Sequence, residues 1–94
     1  MDAYDIHDRI AAELLKDKSL AALIWLIQRG RELEFQVEDR TFFLSPHNAL
    51  KYVSLWEGQQ EQSFDSVEEL AKNAIVCGEP FLAAWEKASL TTLF

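Results

Sequence analysis

Cysteine is all but missing from this chain. Cys77 stands alone, so no intramolecular disulfide can form, and a reducing compartment is expected. Glycine and proline are scarce, with three and two residues, which predicts regular elements joined by short turns. No long apolar run is present either. The most apolar stretch, Leu20 to Ile27, is far shorter than the roughly twenty residues that span a bilayer. The opening segment, Met1 to Asp8, is acidic where a secretory leader is basic. A cytoplasmic protein without a membrane partner is therefore expected.

Catalytic and metal-binding patterns are missing as well. His7 and His47 are the only histidines, no second histidine follows His7 at a zinc-like spacing, and no cysteine pair exists. Glu57, Glu61, Glu68 and Glu69 form no calcium loop. No glycine-rich loop is present to cradle phosphate. Ser45, His47 and Asn48 offer a nucleophile beside a base, but close neighbours in a turn do not meet in triad geometry, and a turn is the expected role. Cys77, ahead of Gly78, has no cation beside it to stabilise a thiolate and reads as a structural cysteine. No catalytic residue, metal site or cofactor is expected.

Positive charge is the last shortage: nine basic residues face sixteen acidic ones, for a net charge of −7. The excess is concentrated in residues 57–94, where Glu57, Glu61, Asp65, Glu68, Glu69, Glu79 and Glu86 meet only Lys72 and Lys87. Nucleic-acid binding draws on cations placed against phosphates, so this balance opposes it.

What the chain has is apolar surface: 49% of its residues are hydrophobic, enough for a folded core in a single domain spanning residues 1–94. Ile6, Ile10 and Leu14 recur every four residues, with Ala11 and Leu15 beside them, predicting a helix over 4–16. Ser19 is placed to cap a second helix over 20–29 that ends at Gly30, unless one helix runs through both segments. Leu20, Leu23, Ile24 and Ile27 line one side of it, and Ala21, Ala22, Trp25 and Leu26 leave little of the rest polar. Burial on several sides follows, either within the chain or in a homodimer through residues 20–29.

The period then changes. Leu33, Phe35 and Val37 alternate with Glu32, Glu34, Gln36 and Glu38, which predicts a half-buried strand returning through Thr41–Leu44. A turn at Asp39-Arg40 sets Val37 opposite Phe42 and Phe35 opposite Leu44. A turn one residue earlier sets Phe35 opposite Phe42 and Leu33 opposite Leu44. Ser45 to Asn48 reads as a turn, Lys51–Glu57 as a strand with Tyr52 and Trp56 on one face and Val53 and Leu55 on the other, and 59–64 as a weaker strand after Glu57-Gly58. Ser66 and Glu69 form a capping box opening a helix with Val67, Leu70, Ala71, Ala74 and Ile75 on its stripe and Gly78 at its end. Pro80 suits the first turn of a last helix, 80–88, burying Phe81, Leu82, Trp85 and Ala88. Leu90–Phe94 is an edge strand or a packed tail. The fold class is α+β: N-terminal helices, a three- to four-stranded antiparallel β-meander, and two C-terminal helices. Trp25, Trp56 and Trp85 take core positions first and interface positions second.

The stretch from Tyr52-Val53-Ser54-Leu55-Trp56 through Gln62 to Leu70, with Gly78-Glu79-Pro80-Phe81-Leu82 and Trp85-Glu86, resembles a group of small uncharacterised proteins of Gram-positive bacteria and their mobile elements. The resemblance covers about half the chain, and each residue in it has a structural job. It implies a shared fold and transfers no site residue. The function expected is a non-catalytic protein-interaction or accessory module that binds a basic protein partner through an acidic face or self-associates. The alternative is a small enzyme assembled from scattered residues such as His47, Cys77 and the glutamates.

Overall fold

Lys18, Ser19 and Gly30 divide the N-terminal region into two helices. The computed structural model describes residues 3–48 and 51–94. Within them run α1 (Ala3–Asp17), α2 (Leu20–Gln28), β1 (Leu33–Val37), β2 (Arg40–His47), β3 (Tyr52–Glu57), β4 (Gln60–Phe64), α3 (Val67–Asn73), β5 (Ile75–Val76), β6 (Glu79–Pro80), α4 (Phe81–Lys87) and β7 (Ser89–Leu93). Lys18 stops α1 by taking a left-handed backbone, φ +52°. The Ser19 hydroxyl then accepts the Ala22 amide at 3.1 Å and starts α2. At the other end the Gly30 amide reaches Ile27 and the Arg31 amide reaches Leu26, a paired closure that needs the left-handed φ of +91° at Gly30. A side chain on Gly30 would also press against the Asn48 amide.

The hairpin follows the alternation, and the structure chooses between the two registers. Leu33 lies opposite Leu44, Phe35 opposite Phe42 and Val37 opposite Arg40, so the turn is Glu38-Asp39. Both turn residues are at positive φ, the backbone that matches strand twist in a tight hairpin. Leu33, Phe35, Val37, Phe42, Leu44, Val53 and Leu55 are buried on one face. They form a single core with Leu14, Leu23, Leu26, Ile27, Leu70, Val76, Phe81 and Trp85. Phe35 sits at its centre, stacked on Phe42 and edge-on to Phe81 and Trp85.

The sheet has five strands in the order β4-β3-β2-β1-β7, each antiparallel to its neighbours. Residues 89–93 are thus a strand, returning to the free side of β1. Ser45 to His47 also belong to a strand, where the sequence suggests a turn. Pro46 is tolerated there for a geometric reason. Counting from the Val37–Arg40 closing pair, even-numbered residues of β2 direct their main-chain groups toward β1. The missing Pro46 amide therefore falls two residues beyond the end of β1, where no ladder bond is lost.

Four helix expectations need correction. α3 stops at Asn73 rather than Gly78, because the Gln62 side chain takes both main-chain groups of Ile75 (2.9 and 2.7 Å) and turns the chain into the β5–β6 hairpin. Cys77-Gly78 is the tight turn of that hairpin, both residues at positive φ. Ser66 does cap α3 by accepting the Glu69 amide, but the Glu69 carboxylate accepts from Asn73 instead of closing a capping box. In α4, Leu82 is 47% exposed while Ala84 is buried, since the helix presents only one side to the sheet. Ile6 and Leu15 are exposed for a similar reason: α1 is the outermost helix, packed on α2, and one neighbour covers a narrow stripe.

Candidate functional site

Among the described residues, no helix packs on the face of the sheet opposite the core. Register places its side chains in rows that run across the strands. One row reads Thr92, Glu34, Phe43, Trp56, Glu61, from β7 to β4. The next reads Ser45, Ser54, Ser63, and Glu32 joins its β1 end by accepting the Ser45 hydroxyl at 2.6 Å. A third holds His47 and Tyr52, their rings stacked at 4.5 Å. Phe94 follows β7 and sets its ring edge-on to Phe43.

Three features distinguish this face. Its aromatic side chains, Phe43, Tyr52 and Trp56, are half-buried, and Phe94 is 54% exposed, so apolar surface is offered to solvent. Its charges have one sign: Glu34 and Glu61 lie on the strands, Glu32 beside them, and no strand residue on this face is Lys or Arg. Two of its acids, Glu32 and Glu61, are also held in place by serine hydroxyls. Ser54 is fully buried, and its hydroxyl donates to the Glu61 carboxylate, as does Ser63 at 2.9 Å. Those two hydrogen bonds, Ser54 first, hold the Glu61 carboxyl below its ordinary value of 4.5 and favour the charged form. With strands about 4.8 Å apart, Glu34 and Glu61 stand roughly 14 Å from each other with Phe43 and Trp56 between them. His47 adds an imidazole Nε2 that is enclosed and has no hydrogen-bond partner among the described residues.

Other residues singled out from the sequence lie apart from this row. Cys77 is on the opposite side of the sheet, in the β5–β6 turn, its thiol directed at the Val37 carbonyl. Burial pushes that thiol above its ordinary value of 9.0, so it stays protonated at neutral pH. It borders a cavity of about 300 Å³ with Arg40, Glu57, Gln60 and Gln62. Arg40 is already committed there, gripping Glu57 with two guanidinium nitrogens and holding that carboxyl below its usual range. A second cavity, about 240 Å³, lies between Ile27, Pro46, Tyr52, Val53 and Val67. Glu68 and Glu69 occupy the first turn of α3. The structure brings Cys77, Glu57 and Glu61 to one cavity, and leaves His47 on the other face of the sheet and Glu68 and Glu69 on α3. Among the described residues, no group of His, Cys, Asp and Glu side chains is placed to hold a metal ion.

Residues 20–29 are engaged within the chain. Ala22, Leu23, Leu26 and Ile27 are buried, and Trp25 is half-buried with His7 edge-on at 5.4 Å and the Arg29 guanidinium 3.7 Å from its ring centre. Arg31 in turn reaches His7 and the Phe94 main-chain oxygen.

Trp56 is the residue that sequence reasoning placed with Tyr52 without seeing its neighbours. Its row depends on three strand pairings at once, and only the folded sheet reveals that Phe43, Glu34 and Glu61 flank it. Among the described residues, no helix is long and apolar enough to cross a membrane. Comparison with protein-family models, with curated proteins and with solved structures finds no match for the chain.

Proposed function

We propose that this protein is a non-catalytic interaction module, whose helix-free sheet face receives a basic, extended segment of a partner protein. The row Glu34, Phe43, Trp56, Glu61 carries this reading. Aromatic faces attract guanidinium and ammonium groups, and carboxylates at either end supply the opposite charge. The lack of Lys and Arg on this face and the net charge of −7 favour a cationic partner and oppose nucleic acid. Self-association through residues 20–29 has less support, because Trp25 is met by His7 and Arg29 of its own chain. A lone, protonated Cys77 suits a reducing, cytoplasmic setting.

Titration with a short peptide alternating arginine and valine, followed by calorimetry, tests the proposal. Binding that weakens with added salt is expected. Trp56→Ala, at a half-buried position, should lose at least about tenfold in affinity, equivalent to ~1.4 kcal/mol, while its thermal unfolding stays close to that of the parent. Equal affinity for parent and variant, or no binding by the parent, would overturn it.

A further inference from the structure

We infer that the partner segment docks as a sixth strand, antiparallel to β4 along its open edge, with its basic side chains on the helix-free face. The inference rests on the function proposed above and adds how the segment is held. Gly58-Gln59 is a two-residue turn, so its closing pair, Glu57 and Gln60, exchanges main-chain hydrogen bonds. The same alternation directs the main-chain groups of Gln60, Gln62 and Phe64 into the sheet, and those of Glu61 and Ser63 outward. No main-chain bond from another described segment reaches Glu61 or Ser63.

The two edges of the sheet differ in how they are guarded. β7 meets β1 with a shift of register at Glu34 and Phe35, which leaves Thr91 as an extra residue with its hydroxyl on the Glu34 carbonyl at 2.9 Å. Such a bulge twists an edge away from further pairing. β4 runs in unbroken register with β3 over five residue pairs and contains no proline, lysine or bulge. Proteins blunt exposed edges with those devices, and their absence on β4 leaves a strand-addition site.

Chemistry decides the occupant. A strand added antiparallel to β4 extends the row Glu34, Phe43, Trp56, Glu61 by one residue, directly opposite Glu61. An arginine or lysine there meets a carboxylate already fixed by Ser54 and Ser63. Alternate residues of the added strand fall on the other face, near Phe64 and near Ile75, which Gln62 holds beside β4 and which is 51% exposed. The segment is thus basic on one face and apolar on the other. A second copy of this chain fits less well, because antiparallel pairing of two β4 edges sets the Glu61 side chains of a protein of charge −7 on one shared face.

Hydrogen exchange with the arginine–valine peptide separates strand addition from docking flat on the face. Strand addition predicts that the Glu61 and Ser63 amides slow by about tenfold or more on binding. In this register the arginine amides point at β4 and the valine amides point away. Peptide N-methylated at its arginines should therefore lose binding, and peptide N-methylated at its valines should keep it. A response at Trp56 with no added protection at Glu61 and Ser63, or equal binding by both methylated peptides, would overturn the strand-addition mode and leave the proposed function standing. Failure of the unmethylated peptide to bind at all would remove both. Protection of the same amides without peptide, rising with protein concentration, would assign the edge to a second copy and overturn the inference.

Discussion

Lys18 and Trp85 hold each other reciprocally across the molecule: the Trp85 indole donates to the Lys18 carbonyl at 2.9 Å, and the Lys18 ammonium donates to the Trp85 carbonyl at 3.0 Å. The same ammonium also reaches the Glu86 and Ala88 carbonyls at 2.8 and 2.9 Å. It thereby adds a donor to carbonyls in and just after the last turn of α4, the Trp85 one also accepting the Ala88 amide, and sits at the negative end of that helix. The positive φ of Lys18 both stops α1 and points its chain toward α4.

Lys18→Met should destabilise the fold by about 2 kcal/mol, because the three hydrogen bonds that the charged ammonium donates at the end of α4 are lost. Urea unfolding gives the value. A loss no greater than that of Lys72→Met, on an exposed lysine of α3, would show that the contact contributes nothing.

Phe35→Ala should cost about 3–5 kcal/mol, since the ring is buried against Phe42, Phe81 and Trp85 and its removal leaves a cavity. A small domain has only about 5–15 kcal/mol in total, so the variant should melt many degrees lower by circular dichroism.

Glu38→Asn combined with Asp39→Gly should stabilise the protein by about 1 kcal/mol. Both residues hold positive φ in a two-residue turn, and Asn-Gly adopts that backbone with less strain. The Glu38 contact with Lys87, at 3.7 Å between exposed side chains, offers little to set against the gain. A fall in melting temperature would contradict the strain account.

Stability and peptide binding should both hold as pH falls from neutrality to about 4.5 and decline below it. Glu61 and Glu57 have folded-state carboxyls below the ordinary value of 4.5, so their contribution is present above that value and is lost as pH falls through the lowered one. Ser54→Ala removes the main hydrogen bond on Glu61 and should move its titration upward toward 4.5, as read from the side-chain carboxyl carbon by NMR. An unmoved titration would contradict the assigned cause.

The α+β class and the first hairpin were legible because alternation in 33–37 and 41–44 leaves only two registers, both burying the same side chains. The end of α3 was not, since Ala74 and Ile75 continue a helical stripe. What ends the helix is a side chain from β4 and a turn whose first residue, Cys77, gives no local sign of positive φ. Ser45 to His47 looked like a turn because proline usually interrupts a central strand, and the exemption of Pro46 depends on where β1 ends. The aromatic and acidic face was hidden more deeply. Phe43 and Trp56 are far apart in sequence and each resembles a core residue, and nothing local says that none of the described helices packs on their side of the sheet. The joining of β7 to β1 was likewise a long-range event that local pattern left open.

Backbone and side-chain NMR during titration with the arginine–valine peptide tests the central claim most directly. The account predicts that the Trp56 indole, the Phe43 ring and the Glu34 and Glu61 carboxyls respond together, with changes extending to the β4 edge and leaving residues 20–29 unmoved. Changes gathered on α2 around Trp25, or a spectrum indifferent to the peptide, would contradict it.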